Sequence, residues 1–422
     1  MHHFAYKNGV LHAEDVPLPL LAKEVGTPFY CYSNATFERH YRVFKEAFEG
    51  IDTLVCYAMK ANSNQAILTT LARLGCGADV VSLGELKRAL MAGIPGNKIM
   101  FSGVGKKAEE LRAAIEAGIL CINVESEAEL HALNQIAGEL GKRASVSFRI
   151  NPDVDAKTHA KISTGKSEDK FGIPWQDAER IYAEAASLPH IDATGIDMHI
   201  GSQITDLQPF DDAFSLLGEL IQTLRSQGHD IEHVDVGGGL GIPYRADNAP
   251  PPDPIAYANV VRRHVEGLDC QVIFEPGRLI AGNSGILVGE VIYVKGGESK
   301  TFIIGDTAMN DLMRPTLYDA HHDVLPIIEP EGSTDWIMAD LVGPVCETGD
   351  FIAQNRKMAK LESGDLYAVM TAGAYGAVQA GTYNTRALVP EVMVKGGEYH
   401  IIRPRMSDDE IIALDSMPDW FE

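Results

Sequence analysis

Lys60 closes the apolar stretch Thr53-Leu-Val-Cys-Tyr-Ala-Met and is followed by Ala61-Asn-Ser-Asn64. That pattern reads as a buried strand delivering one amine to its own end. An amine in such a place can condense with an aldehyde. A lone lysine there also reads as one snorkelling to solvent, so the rest of the chain has to decide. Glu275 stands in Phe274-Glu-Pro-Gly-Arg278, after another apolar run. A carboxylate facing a pyridine nitrogen keeps that nitrogen protonated and turns the ring into an electron sink. The alternative is a rim salt bridge between Glu275 and Arg278. Gly237-Gly-Gly-Leu-Gly241 follows a third run. Its backbone N–H groups, with Gly238 and Gly239 at the centre, could cradle a phosphate beside Ser202 and the Gly277 amide. Three glycines also make a tight turn. His199 could stack on a flat ring, although a single histidine is more often structural.

These residues need elements to hold them, and the periodicity supplies a frame. Eight short β-rich runs are spaced over the first two-thirds of the chain: Leu54–Tyr57, Ala78–Val81, Lys98–Phe101, Cys121–Val124, Val146–Ile150, Thr194–Ile200, His233–Val236 and Gln271–Phe274. Helical patterns such as Leu83–Ala92, Ala128–Leu140 and Phe210–Leu224 separate them. Strands alternating with helices predict a parallel sheet, and eight repeats over roughly 230 residues fit a (β/α)8 TIM-type barrel. An open doubly wound sheet is the structural alternative, but no Gly-x-Gly-x-x-Gly follows the first strand. In a barrel, chemistry sits where strands end. Lys60, Asp79, Ser82, Arg149, Asn151, His199, Ser202, the glycine triplet, Glu275 and Arg278 all fall at such ends. Beyond about residue 282 helical periodicity fades. Runs such as Ile286–Val294, Thr301–Ile304, Trp336–Leu341, Asp365–Thr371 and Ala387–Val394 predict a second, mainly β domain. The expected division is a barrel over 34–281 and a β-rich domain formed by 1–33 with 282–422.

Composition limits the partners. The 422 residues are 45% hydrophobic and 23% charged, with a net charge of −23. So acidic a chain gains nothing from phosphate backbones or anionic membranes, which argues against nucleic-acid or membrane binding. No apolar run is long enough to span a bilayer, and the opening residues lack the apolar core of a signal peptide. Six scattered cysteines without a Cys-x-x-Cys pair suit a reducing cytoplasm and make zinc or redox motifs unexpected. Most of them read as small buried hydrophobes. His321-His322-Asp323 reads as a solvated loop rather than a metal site, because adjacent side chains do not readily face one ion.

Amine, phosphate cradle, flat imidazole and ring-nitrogen acid together describe a pyridoxal 5′-phosphate site. The chain resembles the barrel-type pyridoxal-phosphate decarboxylases that share the alanine racemase fold. The likeness is carried in order by Tyr57-Ala-Met-Lys60, Ala78-Asp-Val-Val-Ser-Leu-Gly-Glu85, His199-Ile-Gly-Ser-Gln203, Gly237-Gly-Gly-Leu-Gly-Ile-Pro-Tyr244, Glu275-Pro-Gly-Arg278, Met309-Asn-Asp-Leu-Met-Arg-Pro-Thr-Leu-Tyr318, Cys346-Glu-Thr-Gly-Asp350 and Ala372-Gly-Ala-Tyr-Gly376. It implies that Lys60 holds the cofactor covalently, that His199 stacks on its ring and that Glu275 meets its nitrogen. It implies phosphate contacts from Ser202, Gly239 and Tyr375. It also implies that Cys346 and Glu347 enter the site of a neighbouring subunit, with Lys170 pairing across the interface with Asp350. The expected unit is therefore a homodimer with shared active sites, and Cys346 is the expected acid that returns a proton to the substrate carbon.

Relatives in that family act on ornithine, arginine or diaminopimelate, and the far end of the substrate separates them. Diaminopimelate ends in both an ammonium and a carboxylate. Arg278, Arg314 and Tyr318, with Tyr375 nearby, suit the carboxylate, since arginine binds one in two-pronged fashion. Arg314 and Tyr318 share a face if Pro315 opens a helix. Glu347 suits the ammonium. The expected reaction is loss of CO2 from meso-2,6-diaminopimelate, giving lysine. A decarboxylase for a simpler amino acid, a racemase and a non-catalytic cofactor-binding relative are the rivals.

Overall fold

A computed structural model describes residues 2–156, 158–166, 168–245, 251–297, 300–330 and 336–421. These residues fall into two compact units. One lies within Glu38–Pro243 and Ala249–Ile280, the other within Met1–Phe37, Tyr244–Asn248 and Ala281–Glu422. One boundary thus falls at Phe37, inside the helix Asn34–Ala47, rather than at residue 33. Phe37 packs its ring edge-on to Tyr32, which draws the start of that helix into the β-rich unit.

The first unit is a closed barrel. Its strands are β1 (Thr53–Ala58), β2 (Gly77–Val80), β3 (Ile99–Phe101), β4 (Cys121–Val124), β5 (Ala144–Asn151), β6 (Ile191–Asp197), β7 (His233–Asp235) and β8 (Gln271–Phe274). All pair in parallel, β8 pairing with β1 and β4 with β5, so that no edge is left over. Closure removes the unpaired N–H and C=O rows that an open sheet would expose. Short polar caps start the helices that follow the strands: Asn64, Ser82, Ser126 and Asp253 each accept a backbone N–H of the first turn. Each such cap is worth about 1 kcal/mol. Cys56, Met100, Cys121 and Ile273 pack together, fully buried. The cysteines at 31, 56, 76 and 121 are indeed buried, and burial pushes the thiols of Cys76 and Cys121 up to about 12. β6 stops at Asp197, short of the expected Ile200. Met198 instead turns its N–H to the Asp235 carbonyl, and His199 rides on the loop.

The second unit is built around the twelve-residue strand Gly285–Gly296. It pairs antiparallel with Thr301–Gly305, Leu366–Val369 and Phe29–Ser33. Phe29–Ser33 is fully buried and also pairs in parallel with Glu391–Lys395. Phe29, Cys31, Ile286, Val288, Val392 and Val394 form the core of this sheet. Two expected strands are shorter than their patterns. Glu391–Lys395 begins only after Pro390, which cannot donate to a ladder, and Leu366–Val369 ends before Thr371, whose φ is +57°. The strand Phe351–Ala359 was not anticipated. No helix among the described residues is long and apolar enough to cross a membrane.

Candidate active site

The C-terminal ends of the barrel strands bring the expected polar residues onto one rim. Lys60 lies in the single turn Met59–Ala61 that follows β1. Its Nζ donates to Asp79 Oδ2 at 2.8 Å, from the end of β2. The lysine side chain is 37% exposed while that of Asp79 is fully buried, so the amine is reachable and its counter-ion is not. Asp79 Oδ1 is buried without a hydrogen-bond partner among the described residues.

The glycine run does something more specific than expected. Gly237 sends its N–H to Asp235 Oδ1 (2.8 Å), and Gly238 sends its own to His199 Nδ1 (3.2 Å). Gly238 therefore sets the imidazole, whose Nδ1 must be the acceptor. Burial, with the charges of Arg149 and Lys60, holds the His199 pKa well below its usual value, so the ring is neutral. A Cβ at Gly237 would stand 2.6 Å from that Nδ1, and one at Gly238 would stand 2.3 Å from the Glu275 carbonyl. Neither position admits a side chain. Gly239, at φ +100°, approaches Gly201 just as closely. Nearby, Ser202 Oγ accepts from Arg278 Nε (3.3 Å) and Nη2 (3.1 Å). A serine hydroxyl, a guanidinium and glycine backbone are donors suited to a phosphate.

Glu275 receives a chain of hydroxyl and amide donors from inside the barrel. Ser147 Oγ donates to Asn123, Asn123 Nδ2 to Ser102 Oγ at 3.1 Å, and Ser102 Oγ to Glu275 Oε1 at 3.3 Å. Asp197, Asp235 and Glu275 each place one carboxylate oxygen within 4.8 Å of the others, all buried. Burial and the neighbouring carboxylates Asp235, Asp79 and Asp197 drive the Glu275 pKa well above the usual range. A protonated ring nitrogen beside Glu275 would relieve that excess of acid. The barrel residues therefore fit pyridoxal phosphate at both ends, with acid for the ring and donors for the phosphate.

The β-rich unit carries the remaining expected residues. Arg314 opens the short helix Arg314–Tyr318, with Pro315 in its first turn, and is buried. Its guanidinium lies 4.6 Å over the Tyr244 ring, and its Nη1 bonds His322 Nε2 at 2.8 Å. His322 Nδ1 bonds the Met370 carbonyl at 2.8 Å, which places the ring proton on Nδ1 and leaves Nε2 as acceptor. The solvated-loop reading of His321-His322-Asp323 is thus corrected: His322 is fully buried, and His321 bonds Asp323 and Arg356. The missed signal was Arg314 itself, a buried cation that needs an acceptor. Tyr318 accepts a bond from Gln379. Cys346 and Glu347 are exposed. Asp350 is buried, its two oxygens taken by the Met309 and Val345 N–H groups at 2.6 and 2.7 Å. Asp350 is the staple of its own loop. Tyr375, half-buried, sits at φ +56°.

The family described as "Pyridoxal-dependent decarboxylase, pyridoxal binding domain" matches residues 34–282. A diaminopimelate decarboxylase of Zymomonas mobilis is 49% identical over 420 residues, covering 99% of both chains. One of Vibrio cholerae is 50% identical over 419 residues, again covering 99% of each.

The chain belongs to the diaminopimelate decarboxylase family.

Solved structures agree. A diaminopimelate decarboxylase from M. jannaschii in co-complex with L-lysine superposes with a TM-score of 0.93 at 36% identity, covering 99% of each chain. The Helicobacter pylori diaminopimelate decarboxylase complexed with L-lysine gives 0.90 at 40% identity, over 94% of this chain and 98% of that one. As a member of this family the protein is a pyridoxal-phosphate-dependent decarboxylase. The cofactor explains why a diaminopimelate decarboxylase keeps so many carboxyls in a barrel core, where apolar side chains would pack at lower cost.

Proposed function

We propose that this protein decarboxylates meso-2,6-diaminopimelate to L-lysine and CO2, the last step of lysine biosynthesis, as a cytoplasmic homodimer with active sites shared between subunits. The observation that carries the reading is full-length likeness to enzymes of that name in a chain that keeps a reachable amine beside a buried acid at the barrel rim. Pyridoxal phosphate, when bound, supplies an electron sink for the pair of electrons left as CO2 departs. Lys60 would hold it through its amine. Glu275 keeps the proton on the ring nitrogen. Ser202, Gly239, Gly277, Arg278 and Tyr375 would hold the phosphate end, and neutral His199 would lie against the ring without repelling the nearby cations. Cys346 of a neighbouring subunit gives the proton that the substrate carbon takes up, and Glu347 meets the distal ammonium.

Arg314 grips the distal carboxylate, together with Tyr318. Its brace by His322 and Tyr244 fixes the direction of the fork before substrate arrives. Arg314→Ala is expected to raise KM by about tenfold or more with kcat little changed, because distal binding serves ground and transition states alike. Steady-state kinetics check this, and a loss of kcat at constant KM would remove the role. His322→Ala is expected to raise KM by a smaller factor, about threefold to tenfold. His322→Gln, which keeps an acceptor and a donor, should recover most of the loss. Failure of glutamine to rescue would mean that the imidazole acts by shape alone.

Product analysis tests the whole reading. meso-Diaminopimelate, ornithine, arginine and D-lysine are offered separately with pyridoxal phosphate, and CO2 and amine are followed. Lysine from meso-diaminopimelate alone is the expected result. Turnover only of a simple diamino acid would overturn the distal-site assignment. No turnover with cofactor bound would overturn the enzyme assignment.

A further inference from the structure

Behind Glu275 the barrel interior holds more carboxyl groups than it has cations to match. Asp79 has Lys60 at 2.8 Å, and Asp197 has Arg149 at 4.0 Å. Arg149 is itself shared with Glu125, at 3.4 Å. Asp235 has no cation among the described residues. Its Oδ1 accepts the Gly237 N–H, its Oδ2 is wholly buried with no partner among the described residues, and one of its two oxygens lies within 4.8 Å of carboxylate oxygens of Asp197 and Glu275. A carboxylate oxygen beside another carboxylate, in a dry place, is repelled. A carboxylic acid in the same place donates a hydrogen bond.

We propose that Asp235 is a positioning residue that stays protonated and donates its Oδ2–H to the Glu275 carboxylate, so that Glu275 remains the anion that meets the cofactor's ring nitrogen. The arrangement is asymmetric for a reason visible in the fold. Asp197 and Asp79 each have a cation, and Glu275 gains one from the ring, which leaves Asp235 as the group that keeps the proton. Burial first, then the Asp197 charge, push its pKa well above the carboxylate range, against the pull of the Gly237 N–H and of the hydrogen bond with Glu275. Asp235 and Glu275 also lie within hydrogen-bonding reach of each other. Cys56, Cys121 and Tyr257, which also feel the Asp235 charge, have pKa values raised by burial and stay neutral. The Gly237 N–H holds Asp235 Oδ1, so one short stretch of chain orients both the acid and the Gly238 donor to His199.

This inference rests on Glu275 meeting the ring nitrogen, and its test separates the two. Holoenzyme is prepared as wild type, Asp235→Asn, Asp235→Ala and Glu275→Ala, and loss of pyridoxal phosphate is followed during dialysis. Asparagine keeps the acceptor for Gly237 and the donor for Glu275, so Asp235→Asn is expected to hold the cofactor within about threefold of wild type. Asp235→Ala removes the donor and is expected to weaken retention about tenfold or more, the worth of one hydrogen bond to a charged group. Infrared spectra of the holoenzymes add a readout that fold damage does not mimic: wild type should show a buried carboxylic-acid C=O band that Asp235→Asn lacks. Asp235→Asn as weak as Asp235→Ala, or an unchanged acid band in Asp235→Asn, would overturn the proposal. If Asp235→Ala does not fold, the asparagine variant and its band decide alone. Glu275→Ala that weakens retention while Asp235→Ala does not would also overturn it, leaving the ring-nitrogen reading intact. Glu275→Ala with unchanged retention and an unchanged visible spectrum would remove that reading itself.

Discussion

Lys60→Ala is expected to give a folded protein that lacks the near-visible absorbance of covalently held cofactor, with activity lower by a factor on the order of 10⁴. The turn Met59–Ala61 owes nothing to the lysine side chain, which is 37% exposed. What it leaves behind is Asp79, fully buried with one oxygen already unpartnered and the other then deprived of its cation. A buried carboxylate that loses its ion-pair partner destabilises the fold, so the variant should melt at a somewhat lower temperature and keep its secondary structure. Absorbance spectra with and without added pyridoxal phosphate, together with circular dichroism, check both halves of the expectation. A retained band in Lys60→Ala would take the covalent role away from this residue.

The second large effect concerns Cys346. The loop that carries it is held by Asp350 through the Val345 and Met309 N–H groups, while the Cys346 N–H bonds Asn384 and Tyr383 bonds Glu347. The loop is therefore shaped, yet Cys346 and Glu347 are exposed in a single chain. Proton delivery works best away from water, and a neighbouring subunit would supply that shelter. Cys346→Ala is expected to lower kcat about 10²- to 10⁴-fold with little change in KM. If sites are shared, mixing the inactive Lys60→Ala and Cys346→Ala proteins should recover activity. Half of randomly formed dimers are hybrids, and each hybrid has one intact site of two, so about a quarter of wild-type activity is expected. Activity no higher than that of the separate variants would place both residues in the site of one chain.

Much of this site was legible in the sequence because strand ends in a parallel barrel are fixed by simple periodicity. Cys121–Val124 and Gln271–Phe274 were bounded to the residue, and the amine, the glycine run and Glu275 fell at the ends where chemistry was expected. The interior was not legible. Ser102, Asn123, Ser147, Asp197 and Asp235 stand in or beside near-continuous apolar runs, and a strand buried on both faces does not reveal which residues point inward. The glycine N–H groups read as a phosphate cradle, yet one is spent on Asp235, two residues back, and another on His199, a neighbour that only the tertiary fold supplies. Phe351–Ala359 was missed because Gln354-Asn-Arg-Lys357 interrupts it with polar residues, and Asn355 sits at φ +47° where the strand bulges. His322 looked like loop because its partners, Arg314 and Met370, are 8 and 48 residues away.

The placement of Phe29–Ser33 has a consequence for how the chain is made. This strand leaves the ribosome early, yet its two sheet neighbours are Gly285–Gly296 and Glu391–Lys395. All eight barrel strands are translated in between. At about 5–20 residues per second, an apolar segment that is wholly buried in the finished protein waits on the order of 20 seconds or longer before its last neighbour exists. The barrel can close in that interval on its own contacts, but the β-rich unit cannot. A nascent chain arrested before residue 391 should therefore carry a protected barrel and a protease-sensitive amino terminus that attracts chaperones, and synthesis of the last thirty or so residues should end both the protease sensitivity and the chaperone binding while the barrel stays protected.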